Sequence, residues 1–219
     1  MPTLPPGSYL SVSLFTYRPE KEDEFLGTMA AEIARLDAAG HESVPGWQWS
    51  HMVRTAPTTV QTISSYASEE AVSLPAAVEI VLKNMCETCL AAPLVRRTGT
   101  IRRFVQGPEY EDDLTGSATF VTTHVLNMKE GGEAGIDAVI DSAVQRTETI
   151  FQTSGLVCMF FFKAQQCNSM VLIAEYTGTS AQDAILAAGR FDLLLHEMAP
   201  FIADPVSDNV GLVSGNICL

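Results

Sequence analysis

The sequence predicts an α+β protein built from two βαββαβ halves whose antiparallel sheets pair into one α+β barrel. Three observations carry this reading. Two glycine-led strands, Gly46-Trp-Gln-Trp-Ser-His and Gly155-Leu-Val-Cys-Met-Phe, start 109 residues apart. The strands that follow end in Tyr66-Ala-Ser-Glu-Glu-Ala and Tyr176-Thr-Gly-Thr-Ser-Ala, 110 residues apart. Strand-like openings at Tyr9–Tyr17 and Phe120–Met128 each precede an acidic helix start, with Glu20 and Glu130 again 110 apart. One order of signals repeated at a nearly fixed offset marks an internal duplication.

Each half reads strand, helix, strand, strand, helix, strand. The first helix covers about Lys21 to Ala39, with Phe25, Met29, Ile33 and Leu36 on one stripe and Gly40 as its stop. Strands follow near Trp47–Arg54 and Thr58–Ala67, around a turn holding Pro57. A second helix spans about Leu74–Leu90, with Val78, Leu82, Met85 and Cys89 inward, and Pro93 ends it. A strand near Thr98–Val105 closes the half. In the second half Ile136, Val139, Ile140, Ala143, Val144 and Ile150 form the first helical stripe. Strands lie near Val157–Ala164 and Ser169–Tyr176, and Ile185, Ala188, Phe191, Leu195 and Met198 line one further helix. The closing strand falls within Val206–Val213. Gly107-Pro-Glu-Tyr-Glu-Asp-Asp-Leu-Thr-Gly-Ser117 is rich in glycine, proline and acids. It predicts domains at 1–107 and 118–219, joined by a solvated acidic linker at 108–117.

Composition bounds the function. Of 219 residues, 47% are hydrophobic and 18% charged, enough for a real core. Thirteen basic residues against 26 acidic ones give a net charge of −13, which disfavours nucleic acid and anionic membranes as partners. The N-terminus has no basic region followed by an apolar stretch, so it does not read as a signal peptide. The most apolar run, Val157 to Phe162, is too short to span a bilayer. Five cysteines in no disulfide pattern, with no glycosylation sequon, point to a reduced, cytoplasmic setting.

The duplicated βαββαβ order, the glycine-led second strand and the Glu/Ala-rich entry to the second helix resemble the antibiotic biosynthesis monooxygenase family. More broadly, the chain is similar to the dimeric α+β barrel superfamily, whose halves are ferredoxin-like. The resemblance covers nearly the whole chain and implies a fused dimer with the barrel closed inside one polypeptide; a further homodimer stays open. It also implies small-molecule chemistry, from cofactor-independent oxygenation of phenols to heme degradation, cyclisation, isomerisation or decarboxylation. A shared fold does not choose among these.

Several residue groups could carry such chemistry. Trp47, Trp49 and His51 alternate along one strand, and a period of two places all three on one sheet face. Two indoles and an imidazole could sandwich a flat aromatic substrate and move its proton; ordinary aromatic packing is the competing reading. His124 shares a strand face with Phe120, Thr122 and Leu126, while Asn127 points the other way. Tyr176 and its counterpart Tyr66 sit at equivalent strand ends, as substrate hydrogen-bond donors or as structural caps. Phe160 adds an aromatic wall. Arg102, adjacent to Arg103 and so on the opposite face, could anchor a carboxylate or phenolate. His196 lies in a helix after a Phe, where the resemblance implies an iron-binding histidine in heme-degrading relatives; Tyr176 stands where those would have Trp. No metal ligand set is expected, except through His196 if heme binds. Cys86-Glu-Thr-Cys89 lies in the last turns of a helix, unlike a redox pair, and reads as packing.

Together these point to a tailoring enzyme of secondary metabolism. Its expected reaction is cofactor-independent oxygenation of an apolar, aromatic or polyketide-like substrate. His51 or His124 would be the base, Tyr176 the carbonyl anchor, and Trp47, Trp49, Phe120, Phe160 and Arg102 the binding residues. The alternatives are a non-oxidative cyclase, isomerase or decarboxylase, and a ligand-binding barrel without turnover.

Overall fold

The computed structural model describes residues 8–39, 45–72, 76–110, 120–146, 152–165, 167–203 and 207–218. At 33, 36, 37, 39, 51, 76–78 and 207–218 the description is of backbone alone. The elements follow the expected order: β1 (Tyr9–Thr16), α1 (Glu22–Ala39), β2 (Trp47–Ala56), β3 (Thr59–Tyr66), α2 (Ala76–Cys89) and β4 (Val95–Gln106). Then come β5 (Phe120–Asn127), α3 (Glu133–Gln145), β6 (Leu156–Ala164), β7 (Ser169–Tyr176), α4 (Thr179–Ala187), α5 (Arg190–Met198) and β8 (Ser207–Cys218). This is a mixed α+β fold, and the strand pairs whose registers are described are antiparallel.

The chain forms two compact units, one of Gly7–Thr100 with Val213–Leu219 and the other of Ile101–Leu212. In the N-terminal unit the strand order is β2-β3-β1-β4, the 4-1-3-2 order of a ferredoxin-like half. In the C-terminal unit it is β8-β5-β7-β6, the same order again, with Ile101–Gln106 of β4 beside β6. The division falls inside β4. Just before the expected acidic linker Gly107 N donates to Val157 O, and within it Glu109 N donates to Leu156 O. Residues 111–117 of that linker, and Ile150, lie outside the described residues.

The glycine-led strands have one physical cause in both halves. Gly46 and Gly155 adopt φ +80° and +88°, the left-handed region open to glycine. A Cβ at either would meet a methyl group, Ala71 Cβ at 2.6 Å and Ala181 Cβ at 2.3 Å. Ala71 and Ala181 close the two Tyr-containing signals, 110 residues apart. Each glycine carbonyl also accepts the amide just past the tyrosine, Ala67 N at 2.6 Å and Thr177 N at 2.9 Å. The repeat read in the sequence is therefore a repeated close approach between the start of the second strand and the segment after the third.

One expected helix is two. The stripe from Ile185 to Met198 breaks at Gly189, whose φ of +63° ends α4 and starts α5. The break rotates the buried set, so Ile185, Phe191, Leu194 and Met198 are inward while Ala188 is exposed. Val144, expected on the α3 stripe, is also exposed, because Ile136, Ile140 and Ala143 already complete its buried face. Arg102 and Arg103 both reach α3, contrary to the alternation expected of neighbours. A register shift between Ile101 and Arg103 removes that alternation. Arg102 pairs with Asp137 at 2.5 Å and with Glu133, Arg103 with Asp141 at 2.7 Å, and Lys163 with Glu133.

These carboxylates recur every four residues, one turn apart along α3. The Lys163 hydrogen bond holds the Glu133 carboxyl below its usual range, and Arg103 does the same for Asp141. A depressed carboxyl stabilises the fold above its unfolded pKa, and the contribution is lost as pH falls through the folded value. Glu133→Gln is expected to make the acid limb of a pH melt shallower while leaving the neutral melt within about 1 kcal/mol, the usual worth of exposed pairs. An unchanged acid limb would count against the stripe as a stabilising device.

Candidate functional site

In the N-terminal unit, the register places Tyr9, Ser11, Ser13 and Phe15 of β1 opposite Tyr66, Ser64, Thr62 and Val60 of β3. Thr98 and Arg96 of β4 stand opposite Ser11 and Ser13. From β2, Trp47, Ser50 and Met52 stand opposite Tyr66, Ser64 and Thr62. All these positions share the helix-facing side of the sheet, and it divides into two ends. At one end Phe15 and Val60 pack with Phe25 and Met29 of α1 and Met85 and Cys89 of α2, an ordinary core. At the other, Tyr9, Trp47 and Tyr66 form an aromatic cluster beside rows of small hydroxyls.

Hydrogen bonds fix that second end. Trp47 Nε1 donates to Ser50 Oγ at 2.9 Å, and Ser50 Oγ donates to Ser64 Oγ at 2.7 Å. Tyr9 OH donates to Thr98 Oγ1 at 3.1 Å, and Arg96 Nε to Ser11 Oγ at 3.0 Å. Burial pushes the Tyr66 phenol up, partly offset by the nearby Arg96 charge and a hydrogen bond with Ser64. The phenol therefore stays protonated at neutral pH.

Trp47 and Trp49 do not share a face, contrary to the alternation expected of them. A β-bulge at Gln48 shifts the register, so Trp47 stands opposite Tyr66 and Trp49 opposite Ser65. Ser65 Oγ donates to Gln48 Oε1 on Trp49's side of the sheet. His51 pairs in register with Ile63, and its side chain lies outside the described residues.

The C-terminal unit presents the counterpart surface. Phe120, Thr122, His124 and Leu126 stand opposite Tyr176, Ala174, Leu172 and Met170, with Met159 and Phe161 of β6 alongside. Here helix-facing side chains fill the surface: Phe120, Phe161, Leu172 and Tyr176 join Ile136 and Ile140 of α3 and Phe191, Leu194 and Met198 of α5 in one cluster. His124 and Tyr176 are brought together, bridged by Thr122. His124 Nε2 and Thr122 Oγ1 are 3.2 Å apart, and Thr122 also bonds the Tyr176 phenol. The His124 ring lies 4.3 Å from that of Phe191, and burial pushes the Tyr176 phenol up to about 12. This row is tightly packed, with His124 and Tyr176 6% and 2% exposed.

The remaining candidates do not join either group. Phe160 points to the opposite side of its sheet and stacks on Phe104, ring centroids 5.1 Å apart. Arg102 is committed to the α3 carboxylates. His196 is exposed on α5. Cys86 and Cys89 are free thiols, the second part of the apolar core. Among the described residues no three His, Cys, Asp or Glu side chains gather as a metal site, and no helix is long and apolar enough to cross a membrane.

Two groups escaped the sequence reading. The hydroxyl rows did, although Tyr-Leu-Ser-Val-Ser-Leu-Phe alternates serine with bulky residues from Tyr9 onward. So did wholly buried Glu175, set in an otherwise apolar run on the side away from the helices. Cys158 Sγ donates to Glu175 Oε2 at 3.5 Å, and burial with the neighbouring Glu175 holds the thiol well above its usual range.

No family model matches the chain, and no curated protein does. Solved structures do. A candidate monooxygenase from Fusobacterium nucleatum superposes with a TM-score of 0.74 at 15% identity, covering 97% of this chain and 94% of that one. An anthrone oxidase-like protein gives 0.69 at 12%, covering 98% and 94%. A ferredoxin-fold protein from Listeria monocytogenes, uncharacterised but related to antibiotic biosynthesis monooxygenases, gives 0.55 at 9%, covering 97% and 99%. The class is thereby defined by fold alone: a chain of two ferredoxin-like halves that shares the fold of these structures, the fold that the sequence resemblance implied.

Proposed function

We propose that the protein is a small-molecule oxygenase of the tailoring kind, acting without a bound cofactor on a flat aromatic, polyketide-like substrate. Its site is the Trp47–Tyr9–Tyr66 end of the N-terminal sheet. The observation that carries this reading is the row of serines beside an aromatic wall. A face serving only as core is filled by bulky side chains, as protein interiors are close-packed. Small hydroxyls there set several polar groups on one face beside aromatic rings, the usual make-up of a ligand site. The anthrone oxidase-like protein among the structural neighbours supports the choice of chemistry.

In this reading Trp47 and Tyr9 position the ring system. Tyr66, kept protonated by burial, donates to the substrate's carbonyl oxygen, where charge gathers as the substrate ionises. The methylene proton passes to solvent. The electron-rich carbon passes one electron to dioxygen, the two radicals join in a C–O bond, and the peroxide anion takes a proton back to become a hydroperoxide. The hydroperoxide then loses water to leave a carbonyl. An anthrone methylene thus becomes a quinone carbonyl, with one oxygen atom in the product and the other in water.

The test is oxygen uptake by chelator-treated protein given an anthrone. The expected result is one dioxygen consumed per quinone formed, at a rate above the uncatalysed one. Conversion without oxygen uptake would replace the proposal with a cyclase, isomerase or decarboxylase. Saturable binding with no conversion would leave only a ligand-binding protein.

A further inference from the structure

We infer that the chain carries one ligand site, in the N-terminal unit alone, and that its ligand is a flat aromatic molecule bearing an acidic oxygen that Arg96 meets. The inference rests on the site placement just proposed and adds stoichiometry and ligand class.

The stoichiometry follows from comparing equivalent positions. The two units share strand order and register, so each helix-facing position in one has a counterpart in the other. Ser11 and Ser13 of β1 correspond to Thr122 and His124 of β5. Ser50 and Ser64 correspond to Met159 and Ala174, and Thr62 to Leu172. Met159, Ala174 and Leu172 all belong to the C-terminal core cluster, and the His124 ring packs on Phe191. The N-terminal counterparts are small and hydroxylated instead, and Ser50 Oγ donates to Ser64 Oγ. A duplicated chain would begin with two equal faces; this one keeps one polar and fills the other.

The ligand class follows from charge. With 26 acidic residues against 13 basic ones, arginines here readily find carboxylates. Arg35, Arg54, Arg102, Arg103 and Arg146 each hold one, whereas among the described residues Arg18, Arg96, Arg97 and Arg190 do not. Of these four, Arg96 is the one that stands in register with the serine row, opposite Ser13, and its Nε donates to the Ser11 hydroxyl. A guanidinium has five N–H donors in a planar fork suited to a carboxylate or phenolate. Ser11 uses one of them, and the charge sits close enough to bear on the Tyr66 phenol. An acidic oxygen beside Ser11 and Ser13 would complete the site, with the ring against Trp47.

The test titrates the full chain with 1-hydroxy-2-naphthoate by calorimetry and tryptophan fluorescence, using 2-naphthamide as the uncharged comparison. The expected result is one naphthoate per chain with quenching. The chain has two tryptophans, on opposite sides of their sheet. Quenching should therefore vanish in Trp47→Phe and persist in Trp49→Phe. Arg96→Gln, on an exposed residue, should weaken naphthoate about 10–100-fold, the worth of a charged hydrogen bond, and leave the amide unchanged. Thr122→Val, in the filled counterpart, should bind as the parent does.

Two equivalents per chain, equal losses for acid and amide in Arg96→Gln, or no saturable binding up to millimolar naphthoate would each overturn the inference. Its failure is separable from that of the oxygenase reading. One naphthoate per chain with no oxygen uptake from anthrone retains this site and removes the oxygenase. Oxygen uptake lost in His124→Gln but kept in Arg96→Gln retains the oxygenase and removes this site.

Discussion

Gly155→Val is expected to cost about 2–5 kcal/mol, measured as a shift of the urea midpoint at constant slope. Two effects add. The backbone at φ +88° lies in the left-handed region, where a side chain costs roughly 1–2 kcal/mol and a β-branched one is a true outlier. The new Cβ would also lie 2.3 Å from Ala181 Cβ and 3.3 Å from its Cα, so α4 must shift, and overpacking of this kind costs about 1–3 kcal/mol. Against a typical total of about 5–15 kcal/mol, the loss is large. Gly46→Val should behave alike, since φ is +80° and Ala71 Cβ lies 2.6 Å away. Adding Ala181→Gly to the Gly155 variant should restore the steric part and leave the dihedral part. A Gly155→Val midpoint within about 0.5 kcal/mol of the parent, the range of an ordinary surface change, would show that neither effect operates.

The same positions explain what the sequence disclosed. Glycine at a forced left-handed turn and alanine at a close approach leave few substitutes, so Gly46, Ala71, Gly155 and Ala181 reveal the duplication despite low identity between the halves. Strand and helix periods were legible where elements are regular, as in β7, where the expected Ser169–Tyr176 is the observed strand. Side-chain direction was lost wherever one residue interrupts the period. Gln48 separates Trp47 from Trp49, the shift after Ile101 turns both arginines toward α3, and Gly189 splits a helix.

The candidate site was less legible than the fold for a different reason. Histidines and tryptophans draw notice as chemical groups, and His124 sits between Thr122 and the Phe191 ring. Serine draws none, and its meaning emerges only when Ser11, Ser13, Ser50 and Ser64, from three strands, prove to share one face. Comparing the halves position by position supplies what single residues do not. A serine facing a helix is unremarkable until its counterpart is a methionine.

The two equivalent tyrosines give the sharpest contrast between the units. Tyr66→Phe is expected to lower turnover about 10²–10³-fold, the usual loss when a donor to a developing oxyanion is removed, and to give up about 1 kcal/mol at neutral pH with the Ser64 hydrogen bond. Tyr176→Phe should leave turnover alone and alter the alkaline limb of stability. Burial raises the Tyr176 phenol to about 12, against about 10 when unfolded. A raised acid favours the folded state below the unfolded pKa. As pH climbs past about 10 the unfolded chain ionises first, and stability drains until the folded phenol titrates, a loss of about 2–3 kcal/mol over that window. Phenylalanine cannot ionise, so the variant should lose less between pH 10 and 12, after giving up about 1 kcal/mol at neutral pH with the Thr122 hydrogen bond. Tyr66 is raised in the same direction, so alkaline melts alone do not separate the pair; turnover does. Equal losses of turnover in both variants would place chemistry in both units. Loss confined to Tyr176→Phe would move the site to the His124 row and leave the serine face without a role.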